Sequence, residues 1–271
     1  TADALDSAIL RRCGWPGSGT SQPIAQSSRL ILADEEIQGT LFPLVMQSHA
    51  AYYLTIQDTA LAAGATPPVA TTGKYRLPAR MYGQIKTVHL VDANTGTELP
   101  LALRDAEEVR SAVTGIPREF YVDGDYIALY PIPDSATWTL RVRYYRRPNT
   151  LVLLTNTRVL SSKGATSYVL TASAPVAWTA ANTVDVINSG ESGSVVDSAC
   201  PLSSISTVTL TLGRAAAAQA TAADYVSLAG ETPIVQLPVH FLSAVVRYAA
   251  AAVLYAHGDR DSAGLEFQHA E

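Results

Sequence analysis

The sequence predicts an α+β protein, in which a helical part carries an antiparallel β-meander and a small all-β domain, a sandwich or barrel, is inserted. Three observations predict this class. Residues 115–148 contain strand-like runs separated by turns, and residues 34–63 and 238–257 repeat apolar side chains at helical spacing. Residues 150–230 are rich in Ser, Thr, Ala, Val and Gly and contain several strand-like runs. We therefore predict two domains: residues 1–149 together with 231–271, and the inserted residues 150–230.

Helices are predicted at the start of the chain. A short first helix is predicted by apolar side chains on one helical face: Leu5, Ile9 and Leu10. Asp34 is a good N-cap ahead of two glutamates in a first turn. From it we expect the longest helical unit, residues 34–63, which Pro43 should kink or divide and Gly64 should close.

Shorter elements are predicted before the meander. Strands are expected at residues 74–77, 84–91 and 99–103, where β-branched and aromatic side chains lie between turn residues. One or two helical turns are expected over residues 105–111. This part of the chain therefore mixes helices with an antiparallel sheet.

The meander has the clearest pattern in the sequence. Residues 120–122 and 126–130 are joined by Asp123-Gly124, a strong hairpin signal, and the prolines of residues 131–134 end the second strand. The third strand alternates, so that its side chains divide between two faces. Its apolar face is Trp138, Leu140, Val142 and Tyr144. Its opposite face is Thr139, Arg141, Arg143 and Tyr145.

The rest of the sequence, residues 150–271, predicts a β domain, a helix and a polar tail. Strands of the inserted domain are expected at residues 167–171, 184–187, 195–196, 208–212 and 225–228. The last helix should begin at Pro238 and end at Gly258. Residues 259–271 are polar and expected to be mobile unless a partner orders them.

The composition favours burial in an assembly. Only 16% of the 271 residues are charged, and a monomer with so little charge would struggle to cover its surface. The net charge of −5 argues against a dedicated nucleic-acid binder, although not against a channel through which DNA slides. No signal peptide is recognisable and no apolar run is expected to cross a membrane, so synthesis in a cytoplasm is the default expectation.

No catalytic, cofactor or metal site is predicted. Asp123 and Asp125 flank Gly124 and could bind Ca²⁺ or act as acid and base, but no further ligand follows at metal-loop spacing and a hairpin turn explains them. Cys13 and Cys200 are expected to be free or buried thiols. The histidines, none of which pairs with another at i, i+4 spacing, are His49, His89, His240, His257 and His269.

A basic stripe is the main candidate contact surface. It consists of Arg141, Arg143, Tyr145, Arg146 and Arg147. Contact with DNA, ion pairing with an acidic neighbouring subunit and a solvated sheet face each explain such a stripe, and the negative net charge makes DNA the least favoured of the three. On the last helix, the candidate subunit or partner contacts are Arg247, Tyr248 and Tyr255.

Several short motifs occur in a specific order along the chain. They are Tyr75-Arg76-Leu77-Pro78, Gly115-Ile116-Pro117, Leu129-Tyr130-Pro131-Ile132-Pro133-Asp134, and Arg143-Tyr144-Tyr145 followed by Pro148. Near the C-terminus they are followed by Leu237-Pro238, Arg247-Tyr248-Ala249-Ala250 and Gly258-Asp259. Together these motifs resemble the head-to-tail adaptor, or connector, proteins of tailed bacteriophages. The resemblance covers about residues 1–149 and 231–271, so that residues 150–230 resemble an insertion into a shorter adaptor.

The resemblance implies a structural virion protein that is not an enzyme and needs no cofactor. Its copies would form a ring, dodecameric in the family, with the portal protein on one side and tail or nozzle proteins on the other. Genomic DNA would pass through the ring without specific binding, and tail fibres are compatible with an outward-facing inserted domain. The implied location is the neck of the virion, with no membrane partner, and the last helix and tail are expected to order against the portal.

Two other functions remain open from the residues. The Ser/Thr-rich segment and Trp178 are compatible with a host- or glycan-binding virion module that attaches through the helical part. A hydrolase acting on the cell wall would need an acid, a base and a nucleophile in one set, and no such set is evident in the sequence.

Overall fold

A computed structural model describes residues 1–15, 22–61, 73–78, 80–105, 113–135, 137–190 and 193–270. These residues contain both helices and antiparallel sheets, which confirms the α+β class. They divide into two compact units, which we call the barrel unit, Thr1–His49 with Pro148–Glu271, and the sandwich unit, Ala50–Arg147. Gly64 and most of the helical turns predicted over residues 105–111 lie outside the described residues.

The barrel unit contains the α-helices. They are α1 (Ala2–Arg12), α2 (Gln26–Glu36), α3 (Phe42–His49), α4 (Leu242–His257) and α5 (Arg260–Ala270). The predicted first helix is confirmed as α1, which Thr1 caps. A π-helical turn, Ile37–Leu41, joins α2 to α3. Pro43 lies just after this turn and has no N–H for the helical ladder, which accounts for the local rewinding.

The predicted helix over residues 34–63 is wrong at both ends. The helix begins at Gln26, and the Asp34 carboxylate, within α2, accepts a hydrogen bond from the Leu151 backbone N–H at 3.0 Å. After α3, a short 3₁₀ turn leads directly into a strand, β1 (Leu54–Ala60). All seven residues of β1 pair with another strand, so long-range pairing overrides the helical spacing of the sequence.

A buried ion pair joins the first two helices. The Arg29 guanidinium on α2 donates to both carboxylate oxygens of Asp6 on α1, at 2.6 and 2.8 Å, and both residues are buried. Helix α4 packs against α1, α2 and α5. Its consecutive alanines, Ala249–Ala251, are all fully buried. Small side chains allow this close approach between helices of the same chain.

The prediction of a mobile tail is wrong, because residues 260–270 form α5. Gly258 ends α4 with φ 98°, as predicted, and lets the chain reverse. The Asp259 carboxylate then accepts a hydrogen bond from the Ser262 N–H at 3.1 Å, which caps α5. Ala263 is buried, and an ion pair of 2.8 Å between Arg12 and Glu266 ties α5 to α1.

The expectation that no apolar run could cross a membrane is also wrong as to length and composition. Val239–His257, which includes α4, is long and apolar enough to do so, with a mean hydropathy of 1.5. The alanines of α4 contribute to this hydropathy although they are small. In the structure this segment is the central helix of the helical part, because α4 packs against three other helices.

The sandwich unit consists of two four-stranded sheets. The first sheet has the order β1, β10 (Trp138–Arg146), β3 (Met81–Asp92), β4 (Glu98–Pro100). The second sheet has the order β2 (Lys74–Arg76), β8 (Tyr126–Tyr130), β7 (Glu119–Asp123), β5 (Ala102–Leu103). Two further strands, β6 (Thr114–Gly115) and β9 (Ile132–Pro133), pair with each other.

The predicted meander is divided between these sheets. The β7–β8 hairpin around Asp123-Gly124 is confirmed, with Gly124 at φ 58°. The third strand, β10, does not pair with β8 but lies between β1 and β3 in the first sheet. Its predicted apolar face is confirmed, because that face packs against side chains of the second sheet in one shared core. The core of this unit therefore depends on residues from both sheets.

The barrel unit also contains a closed six-stranded barrel. Its strands are β12 (Arg158–Lys163), β13 (Ser167–Leu170), β14 (Thr183–Ile187), β15 (Val195–Ser206), β16 (Thr209–Leu212) and β17 (Tyr225–Leu228). They close in the order β12-β13-β16-β15-β14-β17. The five predicted strands are confirmed in this barrel and β12 is additional. Two short parallel strands flank the barrel in sequence: β11 (Thr150–Leu151) and β18 (Glu231–Thr232).

Candidate interaction surfaces

One end of the predicted basic stripe is neutralised inside the chain. Arg141, on β10, donates two hydrogen bonds to the Asp58 carboxylate on β1, at 2.8 and 2.7 Å. Its third contact is a hydrogen bond of 2.5 Å to Glu98 on β4. Such a two-pronged pairing holds the guanidinium in one orientation. Arg141 therefore links three strands of the first sheet.

Two further side chains lie close to the Glu98 carboxylate. Arg143 donates to Glu98 at 3.2 Å, and the His89 Nδ1 atom lies 4.0 Å from the same carboxylate. The hydrogen bond from Arg141, followed by the charge of Arg143, lowers the pKa of Glu98 below its usual value. Glu98 is therefore a fixed anion that offsets the two arginines at physiological pH.

At the other end of the basic stripe, two cations are exposed: Lys86 and Arg147. The Lys86 ammonium lies 5.8 Å from the ring centre of Tyr145, and the Arg147 guanidinium lies 5.2 Å from that of Tyr82. Tyr145 and Tyr82 are cross-strand partners on β10 and β3. Among the described residues, no carboxylate lies within 4.0 Å of either cation. We call Lys86, Tyr145, Tyr82 and Arg147 the cation–tyrosine patch; Arg146, the last residue of β10, is half-buried beside it.

The carboxylates first considered for metal binding lie at the β7–β8 hairpin tip. Asp123 forms an ion pair with Lys74 at 2.5 Å, and the hydrogen bond that Lys74 donates to this carboxylate raises the pKa of Lys74. Asp125 is exposed on the other side of Gly124. Within the described part of the chain, no group of three or more His, Cys, Asp or Glu side chains could hold a metal ion. We call Asp123 and Asp125 the acidic tip.

The candidate residues on α4 have different environments. Arg247 is half-buried, and Tyr248 is half-buried with its ring 6.0 Å from that of Phe267 on α5. Tyr255 is 59% exposed, with the Arg260 guanidinium 5.7 Å from its ring centre. Tyr248 therefore packs within the helical part, whereas Tyr255 remains accessible to a partner.

A cleft of about 420 Å³ opens beside the helices of the barrel unit. Apolar side chains from α1, α4 and the segment after β18 dominate its lining: Leu5, Ile234, Val235, Val239, Leu242 and Val246. Near Val239, the exposed His49 and His240 rings lie 5.7 Å apart, although their separation in sequence gave no sign of it.

The barrel core contains Trp178, the residue that made glycan binding an alternative function in the sequence. Trp178 is 6% exposed and packs in the barrel core, so it is not a surface platform for a sugar ring. The buried Asp197 accepts hydrogen bonds from the Tyr168 hydroxyl and from Arg214. Burial, followed by the hydrogen bond to Asp197, raises the pKa of Tyr168. This network holds together β13, β15 and the segment after β16.

The carboxylates that pair with the stripe are not evident from the sequence. Asp58 lies within the helix predicted over residues 34–63, whereas the structure places it on β1, opposite Arg141 of β10. Glu98 lies one residue before the strand predicted at residues 99–103, and the structure includes it in β4, opposite Val91 of β3. The sequence does contain a signal for this strand, because residues 54–57 alternate apolar and polar side chains directly after two tyrosines.

A protein-family model matches a large part of the chain. Residues 24–165, just over half of the chain, match the model described as SU10 adaptor protein. This range contains α2, α3 and the whole sandwich unit, and with them the motifs from Tyr75 to Pro148 that resemble phage adaptors. A search of curated proteins finds no match.

Proposed function

The chain belongs to the SU10 adaptor protein family, and we propose that its copies form a ring at the head-to-tail interface of a phage virion. A phage adaptor is a structural component of the virion that interacts with other virion proteins. In the proposed arrangement the ring lies in the neck, between the portal protein and the tail or nozzle proteins. It surrounds the channel through which the genomic DNA passes, and twelve copies is the expected number.

The observation that carries this proposal is the extent of the family match. It spans the complete sandwich unit rather than one short motif, so the shared part includes a folded core of its own. The low charge content gives independent support, because surfaces with few charges suit burial against neighbouring subunits. Large apolar side chains are exposed in the sandwich unit as well: Ile56, Leu103, Val113, Ile116 and Val122.

We also propose that residues 150–230 are an insertion that faces away from the channel. The two ends of this segment lie side by side, because the Thr150 N–H donates to the Gly230 carbonyl oxygen at 2.8 Å. Adjacent ends are what an inserted domain requires of its host. An outward barrel would decorate the neck or contact tail fibres. Cryo-electron microscopy of a variant lacking residues 151–229, joined by a short glycine linker, should show an intact ring without its outer density.

The proposal is tested with the full-length chain and its portal protein. The two proteins are mixed, and the complexes are measured by mass photometry and negative-stain electron microscopy. We expect a ring of the chain coaxial with the portal, at a fixed stoichiometry. A chain that stays separate from the portal at micromolar concentrations, and is missing from purified virions by mass spectrometry, would contradict the proposal.

A further inference from the structure

We infer that the cation–tyrosine patch of one copy binds the acidic tip of a second copy of the chain. The inference rests on the proposed ring and specifies a contact within it. Both surfaces belong to the sandwich unit, and neither has a role in its core. The first is Lys86, Tyr145, Tyr82 and Arg147, and the second is Asp123 and Asp125.

The patch is organised before any partner arrives. Tyr145 and Tyr82 face each other across β10 and β3, and each half-buried ring lies beneath one exposed cation. Contact with the ring restricts the long side chains of Lys86 and Arg147, so less conformational entropy is lost when they bind. A guanidinium stacked on a ring keeps its N–H donors at its edge, where they can grip a carboxylate with two hydrogen bonds.

The cations of the patch are distinguished from the rest of the stripe by their lack of an ion pair. Arg141 and Arg143 are offset by Asp58 and Glu98 on the same face. No such carboxylate in the described part of the chain comes within 4.0 Å of Lys86 or Arg147. The patch therefore retains two net positive charges on a chain whose overall charge is −5.

The acidic tip fits this patch in shape and charge. It is a tight hairpin turn with Gly124 at its apex, and so it is narrow and convex, whereas the patch lies on the face of a sheet. Asp125 is exposed, and the exposed Val122 next to Asp123 adds apolar area to the tip. Asp123 is already paired with Lys74, so Asp125 is the carboxylate of the tip whose charge no described cation offsets, and it is the one that the cations of the patch would bind.

A second copy is favoured over DNA as the occupant. A ring of chains repels a dense polyanion, because each copy has a net charge of −5 even with Lys86 and Arg147 counted. The tyrosine rings are covered by the cations, so they are not open for base stacking as in single-stranded DNA binders. Patch and tip are different surfaces on different sheets, and such a pairing between copies propagates around a ring.

The direct test is a zero-length cross-link on the ring assembled with portal from a mixture of unlabelled and ¹⁵N-labelled chains. A carbodiimide joins a lysine amine to a carboxylate as an amide when the two are in contact. We expect a cross-link from Lys86 to Asp123 or Asp125 whose two peptides carry different labels. The link between Lys74 and Asp123 within one chain is the internal control for the chemistry, because these groups are already 2.5 Å apart. Lys86→Arg should keep the ring and abolish the cross-link.

The outcome that overturns the inference is a ring with the Lys74 link and no mixed-label Lys86 link. Failure of the wild-type chain to form any ring with portal would instead count against the proposed function itself. The two failures are therefore distinguishable in one experiment.

Charge reversal provides the second test. Lys86→Glu with Arg147→Glu should reduce the fraction of chain in rings at least about tenfold, as should Asp125→Lys, because each places like charges in contact. Combining the three substitutions should restore much of the assembly. Arg11→Glu with Lys163→Glu makes the same change in net charge at two exposed cations of the barrel unit and should leave assembly unchanged. Normal assembly of both reversed variants overturns the inference, as does a defect confined to the patch variant, which would indicate DNA or another partner.

Discussion

Asn149 donates a buried hydrogen bond of 2.8 Å from Nδ2 to Oδ2 of Asp185, at the base of the barrel. The Asp185 carboxylate also accepts from the backbone N–H groups of Gly230, at 3.0 Å, and Ala199, at 2.7 Å. Asn149 precedes the barrel segment and Gly230 ends it. One buried carboxylate on β14 therefore holds both ends of that segment together.

Removal of this carboxylate should destabilise the barrel unit strongly. Asp185→Ala leaves three donors without their acceptor, one of them the buried Asn149 amide, and we expect a loss of about 2–3 kcal/mol in the free energy of unfolding. Urea denaturation followed by circular dichroism measures the change. Asp261→Ala, at an exposed aspartate of α5, is the matched control and should shift stability by less than about 0.5 kcal/mol. Equal effects of the two substitutions would show that the clamp is not important for stability.

The ion pair between Asp6 and Arg29 gives a second prediction. Arg29→Met alone leaves a buried carboxylate without its cation, and should cost about 3–5 kcal/mol. The double variant Asp6→Leu/Arg29→Met removes both charges and should recover most of this loss, because the desolvation penalty disappears with them. Thermal unfolding of the two variants beside wild type measures the difference. A double variant as unstable as the single one would refute the explanation by unpaired charge.

Two glycines near the C-terminus should respond in opposite directions to alanine. Gly258 has φ 98°, and nothing lies within 4 Å of an added Cβ, so Gly258→Ala should destabilise by about 1 kcal/mol through backbone strain alone. Gly264 lies inside α5, also with open space around it, so Gly264→Ala should stabilise by about 0.5–1 kcal/mol. Chemical denaturation measures both. The same sign for the two substitutions would argue against the α4–α5 hairpin.

The thiols provide a pH prediction. Burial raises the pKa of Cys13 to about 11 and that of Cys200 to about 11, because it disfavours the thiolate. At pH 8 the thiolate fraction of the half-buried Cys13 should be about 100-fold lower than that of an ordinary thiol. Its alkylation by iodoacetamide should rise about tenfold per pH unit until pH about 11, as followed by mass spectrometry.

Linkage extends this prediction to stability. Above pH about 9 the unfolded chain loses thiol protons that the folded chain keeps, so stability should fall as the pH rises toward 11. Glu266→Gln should lower the pKa of Cys13, because the negative charge of Glu266 is, after burial, the second cause that raises this pKa. Alkylation of Cys13 that levels off near pH 9, as in the urea-unfolded chain, would be inconsistent with a raised pKa.

Local patterns in the sequence predicted several elements correctly for physical reasons. Alternation predicted which face of β10 is buried, because a strand between two partners must face one core. Asp123-Gly124 and Gly258 predicted a hairpin and a helix end, because few residues adopt the backbone conformations those turns need. The adaptor motifs lie in and around these same turns.

Other features depend on contacts that a single stretch of sequence does not contain. Tyr52 and Ile56 have helical spacing, yet pairing of the following residues with β10 makes β1 a strand. The partners of Arg141 come from two different strands, so its charge could not be assigned before the sheet order was known. Helix α5 was missed because its capping residue Asp259 and its contact residue Phe267 are both ordinary in a polar tail.

A cryo-electron microscopy reconstruction of the neck of the virion that contains this chain would test the proposed ring most directly. We expect a closed ring of identical subunits between the portal and the first tail protein, into whose density the sandwich unit and the barrel unit can each be fitted. A neck in which portal and tail proteins meet directly, with no density for this chain, would contradict it.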